Sequence, residues 1–206
     1  MLYAAIILSA GLSSRMRELK PLLDIGGKPA LFRLLDTIRS SGIEKIIVVT
    51  GFERESLEAA IRQYGDPKII SLYNADFESG MFSSVKAGIG MISDEAGAAL
   101  LFPADVPLVS AKTIRGLIAS CEQGGTFCFA VPAYKGKNGH PLLVPREYFS
   151  EILEHTCDGG LKEVRNRHLA EMLRYETDDE GCVLDMDTPE DYEKLLAYEK
   201  RQDERE

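Results

Sequence analysis

Tryptophan is absent from the 206 residues, histidine occurs three times and cysteine four times. Cys121, Cys128, Cys157 and Cys182 contain no Cys-x-x-Cys pair, which excludes a zinc ribbon or a thiol-exchange motif. The four thiols read as reduced and structural. Long apolar runs are missing too: no stretch approaches the ~18 residues of a membrane span. The first cation is Arg15, so no basic lead-in of a signal peptide is present, and the expected address is the cytoplasm. Positive charge is scarce, with 24 Lys plus Arg against 33 Asp plus Glu and a net charge of −9. Such a surface repels phosphate backbones and anionic lipid, so neither nucleic acid nor membrane is an expected partner.

What remains is an ordinary globular composition, 45% hydrophobic and 28% charged, with no repeat, linker or low-complexity tract. The length suits one domain over residues 1–206, with a polar tail from about residue 200 expected to fray. Tyr3 to Leu8 is a near-continuous apolar run, the pattern of a strand buried on both faces of a parallel sheet. A helix is expected from Pro29 to Ser41, with Leu31, Leu34, Leu35 and Ile38 at helical spacing and Gly42 as its stop. Ile43–Thr50 is a second strand, followed by a helix carrying Leu57, Ala60, Ile61 and Tyr64.

The alternation continues. Strand Lys68–Tyr73, helix Met81–Met91, strand Ala98–Phe102, helix Ala111–Gln123 and strand Phe127–Val131 are expected in turn. Strands separated by such helices imply right-handed crossovers and a mostly parallel sheet, a three-layer α/β Rossmann-like sandwich. Later the pattern changes: Lys135–Gly139 reads as a turn between apolar segments, so a hairpin-like portion follows, and Pro145 opens a short helix. Thr156–Gly160 reads as a loop, Ala170–Glu176 and Cys182–Met186 as strand-like segments, and Thr188-Pro189-Glu190-Asp191 as the capped start of a last helix.

Open α/β sheets bind ligands beyond the carboxyl ends of their strands. The loop after the first strand runs from Ser9-Ala10-Gly11 through Leu12-Ser13-Ser14-Arg15-Met16-Arg17-Glu18-Leu19 to Lys20. Small residues there let backbone N–H groups approach phosphate oxygens, while Arg15 and Lys20 supply neutralising charge. Arg15, Arg17, Lys20 and Lys28 face only Glu18 and Asp24 in the first 28 residues, against the sign of the whole chain. The loop is neither a P-loop, for no Gly-Lys-Ser/Thr follows, nor a Gly-x-Gly-x-x-Gly fingerprint. Asp105 and Asp187, each expected at a strand end, suit Mg²⁺, which takes a few carboxylates and fills its shell with water and phosphate oxygens. Asp185 is placed to share a face with Asp187 if that segment is a strand.

The combination Ser9-Ala10-Gly11-Leu12-Ser13-Ser14-Arg15-Met16, Lys20, Leu22-Leu23 and Gly26-Gly27-Lys28-Pro29 resembles the signature of the MobA-like nucleotidyltransferases, and especially the molybdenum cofactor cytidylyltransferases. Arg17 stands where that family usually has Gly. The likeness runs from Ile6 to Tyr192. It implies one nucleotidyltransferase domain of the nucleotide-diphospho-sugar transferase type, with Mg²⁺ as cofactor and CTP or another NTP as donor. The acceptor it implies is a phosphate monoester such as molybdopterin, and a recipient molybdoenzyme is an expected partner.

By the same resemblance Lys20, Arg15 and Asp105 are catalytic, and Asp105 and Asp187 hold the metal. Ser9, Ala10, Gly11, Ser13, Ser14, Arg15, Lys20, Asn74, Gly80 and Ser84 bind nucleotide, and His140 of Asn138-Gly139-His140-Pro141 borders the acceptor. Guanylyl members tend to carry Gly-Gly where this chain has Ala10-Gly11, so Ala10 leans toward CTP. A sugar- or polyol-phosphate nucleotidyltransferase and a non-catalytic nucleotide-binding regulator are the alternatives.

Overall fold

The computed structural model describes residues 1–11, 19–124, 128–156 and 159–203. β1 (Tyr3–Ser9) opens a sheet, and a short antiparallel pair, β2 (Asp24–Ile25) and β3 (Lys28–Pro29), leads into α1 (Ala30–Ser40). β4 (Lys45–Thr50), α2 (Arg54–Tyr64), β5 (Ile69–Tyr73) and α3 (Met81–Ile92) follow, then β6 (Ala98–Pro103) and α4 (Ala111–Gln123). The second half contains β7 (Ala130–Tyr134), β8 (Lys137–Asn138), β9 (Leu142–Pro145), α5 (Phe149–Glu154) and α6 (Gly160–Arg167). It closes with β10 (Leu173–Glu176) and α7 (Pro189–Asp203).

The sheet order is β10-β7-β9-β6-β1-β4-β5, with β8 paired to β7. β1 pairs in parallel with both β4 and β6, and β4 with β5; β9 runs antiparallel to β6 and to β7. The sheet is therefore mostly parallel with one reversed long strand. Alternation along β1 explains the three layers. Ala5 and Ile7 join a buried cluster with α1, α2 and α4, while Ala4 and Ile6 join one with α3, α5 and α6 on the opposite face. Leu31, Leu34, Leu35 and Ile38 of α1 are fully buried, each contributing about 1.5–3 kcal/mol by leaving water.

A third cluster sits at one end. Leu23, Ile25 and Ala30 pack against Met186 and Leu195, so the β2–β3 pair and α7 share a small core of their own. Arg33 of α1 fastens it: its side chain donates to the carbonyls of Ile25 and Gly26 and pairs with the buried Glu199 of α7. Charge pairing compensates the desolvation that would otherwise keep a glutamate out of such a place.

The structure corrects several sequence expectations. Pro29 flanks α1 as its N-cap and does not open it, and β4 begins at Lys45 after a turn at Gly42. Phe127 and Cys157 lie outside the described residues; Cys121, Cys128 and Cys182 are buried free thiols. Strand β10 begins at Leu173, because residues 169–171 form a 3₁₀ turn, and α6 was not anticipated at all. Cys182–Met186 is not a strand. Residues 180–183 are a 3₁₀ turn held by Asp179, whose carboxylate accepts from the N–H groups of Gly181 (3.0 Å) and Ser110 (2.8 Å). Gly181 also lies so close to Leu108 that a Cβ would stand 2.0 Å from its carbonyl oxygen, which fixes the backbone across the sheet end. α7 continues to Asp203, through the start of the segment expected to fray. No helix among the described residues is long and apolar enough to cross a membrane.

Candidate active site

The chain leaves β1 toward β4 and β5 on one side and returns to β6 on the other, so the strand order reverses between β1 and β6. A crevice opens at such a switch point, because the connections diverge from it. A cleft of about 350 Å³ occupies it, within the range of small-molecule pockets. Its floor is the end of β1, Leu8 to Gly11, and the end of β6, Pro103 to Asp105; Lys20, Pro21, Phe77, Glu78, Gly80, Met81, Ser84 and Asp187 complete the wall.

The β1 end is closely held. Ala10 is buried and its carbonyl accepts from the Phe52 N–H at 3.2 Å. Gly51 permits that approach, since a Cβ there would meet the Ala10 oxygen at 2.8 Å and Phe77 at 2.6 Å. Ser9 lines the cleft with its hydroxyl buried, and that hydroxyl has no hydrogen-bond partner among the described residues. An orphaned buried polar atom at a cleft floor is what a ligand contact would resolve. Ser13, Ser14 and Arg15 lie outside the described residues.

Lys20 opens a 3₁₀ turn over Lys20–Leu22, and its ammonium donates to Asp187 at 2.6 Å, a contact spanning 167 positions of sequence. Asp187 reaches the cleft from an irregular segment and not from a strand end. Met186, fully buried in the third cluster, donates its N–H to the Asp105 carbonyl at 3.1 Å, which registers that segment against the end of β6. Beyond it Thr188 caps α7 as the sequence suggests: its hydroxyl accepts from the Asp191 N–H at 3.2 Å and donates to the Asp191 carboxylate at 2.7 Å.

Asp105 is the electrostatic centre. Burial raises its pKa above the ordinary carboxylate value, the Lys20 ammonium pulls it back, and the Asp187 and Asp185 carboxylates push it up again. The negative field of these carboxylate neighbours favours a cation beside Asp105. Among the described residues no group of three or more His, Cys, Asp or Glu side chains converges to hold a metal. Asp105 and Asp187 are carboxylates in this cleft that could hold a divalent ion, its shell completed by water and substrate oxygens, a donor set that suits Mg²⁺.

A second lobe of about 270 Å³ shares Met81, Pro103 and Asp105 with the first and adds Val106, Asn138, Gly139, His140, Val183 and Asp185. Asp185 and Asp187, expected on one face of a strand, thus serve different lobes; the Asp187 N–H lies 3.4 Å from the Asp185 carboxylate in a tight turn. His140 follows the β8 end. Its N–H donates to the Cys182 carbonyl at 2.8 Å, and the His140–Pro141 peptide is cis. Burial, with the Arg165 charge adding to it, pushes the imidazole pKa down to about 4, so the ring is neutral near pH 7.

Asn74 is not among the residues lining either lobe. It is buried behind Ser84, donating to the hydroxyls of Ser83 (2.8 Å) and Ser84 (3.0 Å) and accepting from the Asp76 N–H (3.0 Å), so its polar atoms fasten the start of α3. Gly80 (φ +98°) and Ser84 do face the first lobe. Sequence reasoning passed over Phe77 and Met81, which also line it. The available signal was two large apolar residues flanking Gly80 in an otherwise polar loop; Met81 is 66% exposed although it opens a helix.

The profile of the MobA-like NTP transferase domain matches residues 5–172. The bifunctional protein GlmU of Bacillus thuringiensis (strain Al Hakam) is 27% identical over 165 residues, which make up 78% of this chain and 35% of that protein. The chain thus spans about a third of the length of the curated relatives it matches. Rv0371c from Mycobacterium tuberculosis H37Rv is 25% identical, with a TM-score of 0.77 over 95% of this chain and 98% of the other, and has also been solved as a complex with manganese. A nucleotidyl transferase from Methanothermobacter thermautotroptrophicus shares the fold at a TM-score of 0.82 and 19% identity, over 98% and 99% of the two chains.

Proposed function

The chain belongs to the MobA-like NTP transferase domain family, and from that premise we propose that it moves an NMP group, CMP from CTP, onto a phosphate-monoester acceptor, molybdopterin, with release of pyrophosphate. The observation that carries this reading is the meeting of Ser9–Gly11, Lys20, Asp105 and Asp187 in one cleft at the switch point. Two polyanions must be brought together for this reaction, and positioning with charge stabilisation does most of the work in transfers at phosphorus. The triphosphate lies over the end of β1, where backbone N–H groups, the Ser9 hydroxyl and Lys20 receive it; Ser13, Ser14 and Arg15, outside the described residues, belong to the same reading. Ala10, Gly80 and Ser84 shape the nucleoside side.

Asp105 and Asp187 would hold Mg²⁺. The ion supplies charge neutralisation to the phosphate oxygens when bound. The second lobe, which meets the first at Asp105, receives the acceptor. Neutral His140 helps to shape that pocket and contributes no positive charge to it. No general base is needed, because a phosphate monoester with a second pKa of ~6 is already largely dianionic at neutral pH. The nucleotidylated pterin would then pass to a recipient molybdoenzyme.

The polar lining of the second lobe, Asn138, His140 and Asp185, favours one further reading, a sugar or polyol phosphate as acceptor. Pyrophosphate release should be followed with Mg²⁺ and each of CTP, GTP, ATP and UTP against molybdopterin, a sugar 1-phosphate and a polyol phosphate. Fastest release with CTP and molybdopterin is the expected result. Release confined to a sugar or polyol phosphate reassigns the acceptor, and CTP binding without release from any pair makes the protein a nucleotide-binding regulator.

A further inference from the structure

The two groups assigned above to different ligands, the Lys20 ammonium to phosphate and the Asp187 carboxylate to the metal, are bound to each other. The contact is 2.6 Å, with the Lys20 side chain 14% exposed and that of Asp187 45% exposed. Neither end is loosely placed. Lys20 begins a turn whose backbone is closed by the Leu22 N–H on the Leu19 carbonyl (2.8 Å) and the Leu23 N–H on the Lys20 carbonyl (3.1 Å), with Pro21 buried inside it. Asp187 is fixed between the buried Met186 and the capped start of α7.

A carboxylate already in contact with an ammonium is a poorer ligand for a second cation, because the entering ion must displace the first. The displaced ammonium keeps the Asp105 carboxyl within its electrostatic reach, but a little-exposed ammonium gains more from an anion of higher charge. A triphosphate in the same cleft is such an anion. We propose that Lys20 withholds Asp187 from divalent cations in the nucleotide-free protein, and that an arriving nucleoside triphosphate takes over the ammonium and so opens Asp187 to the metal. Metal and nucleotide then bind with positive coupling, and by linkage each raises the affinity of the other by the same factor. The proposal rests on the reading of Asp187 as a metal ligand.

Mn²⁺ binding to the nucleotide-free protein, followed by the electron paramagnetic resonance signal of the free ion, tests it without any turnover. Lys20→Met removes the charge and keeps the chain length. It should bind Mn²⁺ about tenfold more tightly than the unaltered protein while binding CTP more weakly, opposite shifts that a merely structural role for Lys20 would not give. Lys20→Arg, which keeps the charge, should stay close to the unaltered protein, and Asp187→Asn added to Lys20→Met should erase the gain. Equal or weaker Mn²⁺ binding by Lys20→Met overturns the proposal. If Asp187→Asn still weakens Mn²⁺ binding in that event, the metal reading survives and the proposal alone fails. If neither protein binds Mn²⁺ with or without CTP, the metal reading fails and the proposal falls with it.

Discussion

The two lobes of the cleft share Asp105 but are built by different means. The first stands on the ends of β1 and β6, adjacent parallel strands whose registers are set by an unbroken ladder from Tyr3–Ala98 to Leu8–Pro103. The second stands on the β8 end and the 3₁₀ turn at residues 180–183, backbone held by scattered bonds such as the His140 N–H to the Cys182 carbonyl. A ladder fixes its end residues through many equivalent bonds, so one side-chain change there is cushioned. The other lobe depends on few contacts, each specific, and the irregular segment that carries Asp185 into it and Asp187 into the first lobe is registered by the buried Met186, whose N–H is bonded to the Asp105 carbonyl.

Substitutions at Asp105, which both lobes share, and at Asp187, which lines the first lobe alone, should have the largest effect. Asp105→Asn and Asp187→Asn are each expected to lower kcat by ~10²–10³-fold in the pyrophosphate assay, with circular dichroism unchanged. A smaller loss for Asp187→Asn than for Asp105→Asn would mean that the irregular segment serves the cleft less directly than the ladder does.

The second lobe can be probed through acidity. The folded-state pKa of His140 is pushed from 6.5 to about 4, so the unfolded chain takes the proton first as the pH falls. Stability present above pH 6.5 is therefore lost on descending toward pH 4, by at most roughly 3 kcal/mol. Urea unfolding of the unaltered protein and His140→Gln at pH 7 and pH 4 should show a smaller acid loss in the variant. Equal losses would mean that the imbalance at His140 is relieved by solvent, and that this lobe is more open than its packing suggests. The smallest change belongs to the first lobe. Ala10→Gly should raise GTP use relative to CTP by about tenfold at most, read as the ratio of kcat/KM values. An unchanged ratio would show that the β1 turn binds phosphate without reading the base.

The same contrast governs what could be read in advance. β1, β4, β5, β6 and the helices α1 to α4 carry repeating apolar patterns, and the sequence placed them within a few residues. Ser9 to Gly11 and Asp105 follow from that frame, since each lies at or just beyond a strand end; Lys20, eleven residues past β1, was legible as a cation of the loop that follows it. The place of Asn74 behind the cleft was not legible, because a buried asparagine and a ligand-facing one look alike until its partners Ser83 and Ser84 are known. The β2–β3 pair and α6 escaped because two-residue strands and a single-turn apolar stripe leave almost no periodicity.

Local chemistry along the chain was enough to determine a mostly parallel α/β sheet, a cation-bearing turn after its first strand and a capped last helix, because hydrophobic period and cap residues act over a few neighbours. Only the tertiary structure decided that Asp185 and Asp187 face different lobes, that His140 is neutral, and that Lys20 meets Asp187. Those outcomes depend on desolvation and on contacts between residues far apart in sequence, where no local pattern records which groups will be brought together.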